Sequence, residues 1–367
     1  MISIEFWASV ISGFDEMVKS DVQNLRLHLA VGIPPSLRGM MWQIFSKSRD
    51  SNELECEYRE LLKRTSPHEK IIRRDLARTF PTHPFFQEKD GEGQQMLFNV
   101  IKAYSLFDQK VGYCQGLPFV VGCLLLHMPD EAVFCVLVKL MSHYGLRGHF
   151  TPQMETLHER LYQFDQLLLQ TLPQVHKHLE THGIKPTMYA SQWFMTLFSY
   201  RCPFELVFRV FDLVFVEGSS ILLNFALALM KKNQKTLLNL EFETLLEFFS
   251  NRIFDVYQVR DYVADEPAAF VHDAYGFNIT ARQLEKISKK YAVESAKEAK
   301  LHSPEDQLRR QNAELAEKLR RMEHSFNILQ DEHQDVAHQL ISVKMEMAQM
   351  NDENQELRRL LGKYRSD

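Results

Sequence analysis

The sequence predicts an all-α protein in two parts, a helical domain followed by a long solitary helix. Apolar residues recur at helical spacing along most of the chain, and no segment shows sustained two-residue alternation bounded by hairpin turns. Proline and glycine cut this pattern into pieces of ordinary helix length. After about residue 296 the aromatics nearly vanish, and Glu, Gln, Lys, Arg and Leu dominate.

The breaks order the elements. They fall at Pro34-Pro35, at Pro81 and Pro84, at the glycines around Gln115, at Pro129, at Gly183 and Pro186, and at Pro203. The segment before Pro81 carries Ile72, Leu76 and Phe80 four apart, which predicts one apolar stripe on a helix that must end near Phe80. The run from Leu117 to Met128 is interrupted by Gly122 and His127 and closed by Pro129. It falls short of the roughly 20 residues of a membrane span and reads as a buried core helix. Between the later breaks, helices are expected over Glu131 to Tyr144, Met154 to Leu172, Met188 to Tyr200, Phe204 to Val216 and Ser220 to Leu238. They would pack on one another as a compact domain.

In the tail, Leu308, Leu315, Met322, Leu329, Val336, Val343, Met350 and Leu357 fall on one heptad position. Asn312, Leu319, Phe326, His333, Leu340, Met347, Asn354 and Leu361 fall on the other core position, without a stutter. About 55 such residues at 1.5 Å rise make a helix of roughly 80 Å. Its apolar stripe calls for a partner, and asparagine at the first and seventh of these core positions favours two strands in register. A parallel homodimer is the first expectation. A helix folded back on its own domain and pairing with another protein are the alternatives.

Composition excludes several classes. A formal net charge of −5 gives no global attraction to nucleic acid or to an anionic membrane. Five cysteines, Cys56, Cys114, Cys123, Cys135 and Cys202, form no CxxC pair and suit a reducing compartment. The start lacks the basic and apolar pattern of a signal peptide, so a cytoplasmic protein is expected.

Two segments carry chemistry. In Ile71-Ile72-Arg73-Arg74-Asp75-Leu76-Ala77-Arg78, Arg78 lies about 200° around the helix from Phe80 and points away from the core. Asp75, three residues earlier, can hold the guanidinium extended. In Gly112-Tyr113-Cys114-Gln115-Gly116, Gln115 occupies a tight interhelical turn. A guanidinium neutralises charge on a transferring phosphoryl group, and a carboxamide orients an attacking water. The chain holds no GxxxxGK[ST] loop, so any such phosphate belongs to a partner. Taken singly, Arg78 could simply complement a helix end. Cys114 lacks the context of a catalytic thiol. His178 and His182 are four apart, as two zinc ligands can be, but without the HExxH order.

These pieces together resemble the TBC domain of Rab GTPase-activating proteins. The match covers most of the first 250 residues. Gly32-Ile33-Pro34 with Leu37-Arg38 and Trp42 looks like the family's opening motif, Ile72, Asp75 and Arg78 fit IxxDxxR, and Tyr113-Cys114-Gln115-Gly116 fits YxQG. Tyr189 to Phe194 and Arg209 to Gly218 look like its later helical signatures. With the tail, the chain is most similar to the subgroup in which a coiled coil follows the domain, which includes fungal Ypt/Rab regulators. The resemblance implies a two-lobed helical domain over 31–252, preceded by a helical lead-in (1–30) and followed by a helical extension (253–296) and a coiled coil (297–367).

It further implies that Arg78 is an arginine finger and Gln115 a glutamine finger, with Asp75, Tyr113 and Gly116 positioning them and Arg38 and Trp42 as scaffold near the site. The partner would be a GTP-bound Rab/Ypt GTPase, which brings the GTP and the Mg ion, leaving this chain without a cofactor. Vesicle, Golgi or plasma membranes would be reached through partners only. The rival readings are a non-catalytic helical scaffold and a hydrolase using Cys114.

Overall fold

The computed structural model describes residues 4–258 and 266–301, with separate positions between 312 and 358. Every regular element among the described residues is helical. The chain divides into two compact units, Met1–Tyr291 and Ala292–Asp367.

The first unit opens with α1 (Ile4–Ser20), α2 (Val22–Val31), α3 (Pro35–Phe45) and α4 (Asn52–Leu62). Next come α5 (Glu69–Leu76), α6 (Glu92–Phe107), α7 (Leu117–Leu125) and α8 (Asp130–Ser142). A 3₁₀ turn at Leu146–His149 leads into α9 (Glu155–Thr171), α10 (Pro173–Thr181), α11 (Pro186–Tyr189) and α12 (Ser191–Met195). The unit continues through α13 (Phe204–Glu217), α14 (Ile221–Lys232), α15 (Gln234–Leu237), α16 (Phe242–Asn251) and α17 (Glu266–Tyr275), and α18 (Ala281–Leu301) runs past its end.

Two sets of helices share one core. In the first, α6 buries Leu97, Phe98, Val100, Ile101 and Tyr104 against α4, α5, α7 and α8. In the second, α14 is buried on all sides from Ile221 to Met230 and packs against α9, α13 and α17. A helix apolar all round has to be central. Its one buried amide, Asn224, donates to the carbonyls of Ala274 and Phe277 at 3.1 and 2.7 Å, so no polar group is left unpaired there.

A polar hub on α13 ties that helix to α2 and α3. Asp212 is fully buried and accepts from Trp42 Nε1 at 2.8 Å and Arg38 Nε at 3.1 Å. Arg209, one turn earlier, donates to the carbonyls of Leu29, Ala30 and Val31 at 2.6, 2.7 and 2.8 Å, satisfying the open end of α2. The chain must pass beneath that guanidinium. Gly32 does so at φ +124°, where an added Cβ would lie 2.1 Å from Arg209 Nη1.

Three sequence expectations need correction. The aromatic segment from Met188 to Tyr200 is not one helix: α11 and α12 are single turns, and Leu197 and Phe198 take left-handed backbone at φ +50° and +67°. That reversal lets Phe194 and Phe198 both enter the core. The helix through Ser220 to Leu238 breaks at Asn233, whose side chain donates to the carbonyls of Leu229 and Ile253. The helix before Pro81 ends at Leu76, four residues early, for a reason that belongs to the site. The remaining expected boundaries agree within a few residues.

In the second unit the described heptad residues are helical. Leu315, Leu319, Met322, Phe326, Leu329, Val336, Leu340, Val343, Met347 and Met350 are each more than half exposed. Leu308, Asn354, Leu357 and Leu361 lie outside the described residues. The described part of the stripe is therefore helical and exposed.

Candidate functional site

The arginine segment is built on α5. Ile72 and Leu76 face the core, and Arg73 lays its guanidinium over the Phe98 ring at 3.9 Å. The helix then tightens. Arg78 N–H donates to Asp75 O and Thr79 N–H to Leu76 O, both three residues back, while Thr79 Oγ1 takes the same Asp75 carbonyl at 3.0 Å. Phe80 follows at φ +48°. Its ring packs among Phe86, Phe119 and Phe204 with centroids 5.8, 5.2 and 4.9 Å away. Gly122 on α7 makes room for it, since a Cβ there would sit 2.8 Å from the ring. Arg78 thus stands on an exposed turn anchored on both sides, with its side chain 52% exposed.

Asp75 organises this turn. Its carboxylate is 3% exposed, and Arg78 Nη2 lies 2.8 Å from Oδ1, off the line of a hydrogen bond, so the attraction is mainly Coulombic. Arg74 Nε stands 3.6 Å from the same oxygen. Tyr113 donates its hydroxyl to Oδ2 over 2.6 Å. This bond joins the two segments that the sequence singled out. Burial, and then the bond to Asp75, push the Tyr113 hydroxyl far above the usual phenol range, so it remains a donor.

The glutamine loop is pinned along its length. Asp108 ends α6, accepts both arms of the Arg147 guanidinium and receives the amides of Val111 and Gly112 on its backbone carbonyl. Gly112 turns at φ +54°, and a Cβ on it would meet His68 Nε2 at 2.7 Å. Gly116 turns at φ +104° immediately before α7, where a side chain would be strained even though a Cβ would make only ordinary contact with Thr196 and Met195. Between them Gln115 is exposed. It follows Tyr113 by two residues, so its backbone lies within about 7 Å of the tyrosine's Cα. Burial raises the neighbouring Cys114 thiol, which disfavours the thiolate that a nucleophile needs.

The structure therefore brings Asp75, Arg78 and Tyr113 into contact, with Gln115 and Gly116 beside them. Arg38 and Trp42 stand behind this group: Arg38 lies 5.4 Å from the Phe208 ring, which stacks on Phe204 at 5.6 Å, and Phe204 meets Phe80 at 4.9 Å. Trp42 meets His127 edge-on at 4.8 Å, just past the far end of α7 from Gly116. Among the described residues no three His, Cys, Asp or Glu side chains gather as a metal site, and His178 Nε2 lies 2.9 Å from the Leu240 carbonyl. Sequence reasoning missed Asp108 and Arg147, which pin the loop, because a pair 39 residues apart leaves no spacing signal.

The site is thus a half-exposed arginine and an exposed glutamine on two segments of a helical domain, tied together through Asp75 and Tyr113. Comparison with known proteins identifies the family. The model of the RabGAP TBC domain matches residues 94–294, a range that includes Tyr113, Gln115 and Gly116 and begins after Asp75 and Arg78. The chain belongs to the RabGAP TBC domain family. It is 37% identical over 97% of its length to the GTPase-activating protein GYP5 of Eremothecium gossypii, covering 46% of that protein. It is 38% identical over 86% of its length to the ecotropic viral integration site 5 protein homolog of Homo sapiens, covering 38% of that protein. The chain thus spans less than half the length of these relatives. Among solved structures, the Chlamydomonas flagellar RabGAP TBC domain superposes with a TM-score of 0.59 at 25% identity, covering 73% of this chain and 90% of that one. The Ypt/Rab-GAP domain of Gyp1p, at 19% identity and a TM-score of 0.59, covers 73% of this chain and 97% of its own and shares the fold.

Proposed function

We propose that this protein stimulates GTP hydrolysis by a Rab/Ypt GTPase in trans, with Arg78 as arginine finger and Gln115 as glutamine finger. The observation that carries the reading is the Tyr113–Asp75–Arg78 chain, which ties an exposed guanidinium to the loop that exposes the carboxamide. The GTPase supplies the GTP and the Mg ion. Arg78 places its planar fork against the charge that develops between the β- and γ-phosphates. Gln115 accepts from and donates to the attacking water and so holds it in line. Asp75 keeps the guanidinium extended before the partner arrives, which lowers the ordering cost at the encounter. Tyr113 holds the carboxylate, and Gly116 lets the loop close into α7.

The tail acts as a parallel two-stranded coiled coil that makes the protein a homodimer, its exposed stripe being the supporting feature. The protein works in the cytoplasm at vesicle, Golgi or plasma-membrane surfaces, reached through its GTPase and without nucleic acid.

The test is phosphate release from a panel of GTP-loaded Rab/Ypt GTPases in the presence of the full chain. Stimulation of at least one member is expected, and Arg78→Ala lowers its kcat by about 10³ or more. Gln115→Ala fails even on a GTPase whose own water-orienting glutamine has been replaced, whereas the unmodified chain still stimulates that GTPase. Wild-type activity in Arg78→Ala, or no stimulation across the panel, rejects the reading in favour of a scaffold.

A further inference from the structure

We propose that a cavity beside the glutamine loop receives an apolar side chain of the partner GTPase, with an adjacent carboxylate of that GTPase pairing with Arg201. The inference rests on the reading of Arg78 and Gln115 given above. The cavity, about 160 Å³, is floored by Trp193, Phe198 and Phe249 and rimmed by Met188, Tyr200 and Arg201, with the polar Gln192 and Ser250 also in its exposed lining. A cavity of about 150 Å³ in another protein holds a benzene molecule, so one aromatic or branched aliphatic group fits here.

Four observations point to an incoming protein. The floor residues are at most 5% exposed, whereas Met188 and Tyr200 on the rim are 47% and 41% exposed, so apolar surface stands open above a finished core. Phe198 in the lining takes left-handed backbone at φ +67°, directly after Leu197 at φ +50°. Each such residue costs about 1 kcal/mol or more, a strain that gathers at binding sites. The wall is also continuous with both finger segments. Thr196 lines the cavity and its Cγ2 comes within 3.6 Å of the Gly116 Cβ position. Tyr200 meets Phe119 edge-on at 5.1 Å, and Phe119 in turn meets Phe80, two residues after Arg78, at 5.2 Å. A GTPase with its nucleotide at the fingers covers this spot, because a specific interface spans about 800 Å² on each partner.

The charge selects what enters. The Arg201 guanidinium is exposed, lies 5.0 Å from the centroid of the Tyr200 ring, and has no carboxylate within 4 Å among the described residues. An arginine held against an aromatic face at a pocket's rim is preorganised for a carboxylate. Met188 is unbranched and adaptable, which suits a rim that closes on its guest. The cavity would thus help decide which GTPase is accepted, while the fingers act on the phosphate that every GTPase shares.

The experiment uses the full chain and a panel of Rab/Ypt GTPases loaded with a non-hydrolysable GTP analogue, with binding read by interferometry and stimulation read by phosphate release. Tyr200→Ala and Arg201→Glu are expected to raise Kd and KM about ten- to a hundredfold for the panel member bound best, with kcat changed less than about threefold. Arg78→Ala should retain binding and lose kcat. Unchanged binding in both rim variants overturns the pocket, as does a fall in kcat at constant KM or an absence of binding across the panel. If the wild-type chain binds without stimulating, and Tyr200→Ala abolishes that binding, the finger reading fails and the pocket stands. Helical circular dichroism unchanged in both variants separates either result from unfolding.

Discussion

Replacing Tyr113 by phenylalanine removes one hydroxyl and keeps the ring, which isolates the link between the two segments of the site. That hydroxyl donates to Asp75 Oδ2 over 2.6 Å, and Asp75 is only 3% exposed, so water does not readily take its place. A hydrogen bond to a charged acceptor contributes about 1.5–3 kcal/mol, and this is the stability that Tyr113→Phe should lose. Arg78 behaves differently. Its side chain is 52% exposed, and screening leaves its pair with Asp75 worth about 1 kcal/mol or less. Arg74, 3.6 Å from the same oxygen, remains to balance the carboxylate when Arg78 is gone. The two variants should therefore rank in opposite orders. In urea unfolding followed by tryptophan fluorescence, Tyr113→Phe is the less stable. In phosphate release, Arg78→Ala loses about 10³ to 10⁵ and Tyr113→Phe about ten- to a hundredfold, because the guanidinium is present but less well held. An Arg78→Ala protein less stable than Tyr113→Phe would falsify this account of Asp75, and so would Tyr113→Phe with wild-type turnover.

Gly32→Ala should cost about 3 kcal/mol or more in the same unfolding assay, since the residue sits at φ +124° and its methyl would strike the guanidinium that closes α2; a loss below about 1 kcal/mol contradicts the packing. Burial pushes the imidazole of His127 down to about 4, with Arg38 adding to the effect, and that of His149 down to about 3, with Arg160 adding. Both stay neutral in the fold while the unfolded chain takes up protons below about pH 6.5, so their stabilising effect is present above that pH and is lost as pH falls toward 4. His127→Phe, which keeps a ring against Trp42 and Phe208, should reduce the slope of stability between about pH 6 and 4.5 by about 1 kcal/mol per pH unit; an unchanged slope shows that His127 does not titrate there. The full chain should sediment as a dimer at micromolar concentration and become monomeric with Leu329→Lys in the middle of the stripe. A monomeric wild-type chain leaves fold-back or pairing with another protein.

Local pattern made the helical class, most helix boundaries and the two chemical segments legible before any coordinates. Helical periodicity and proline breaks are properties of neighbouring residues, so α8, α9 and α13 could be read within a few positions. The same logic placed Arg78 off the apolar stripe and Gln115 in a turn. It failed where a distant contact overrode local preference. Phe80 leaves the helix because the space left by Gly122 admits its ring, and the segment after α12 reverses because the core takes both Phe194 and Phe198. Sequence spacing proposed that Asp75 holds Arg78, since three residues on a helix are neighbours. Only the tertiary structure supplied Tyr113 to the other oxygen of that carboxylate, Arg147 to Asp108, and Asp212 to Arg38 and Trp42. Those pairings join residues far apart in the chain, where one sequence carries no record of distance. Local chemistry therefore determined which groups could act, and long-range packing decided which of them are held together.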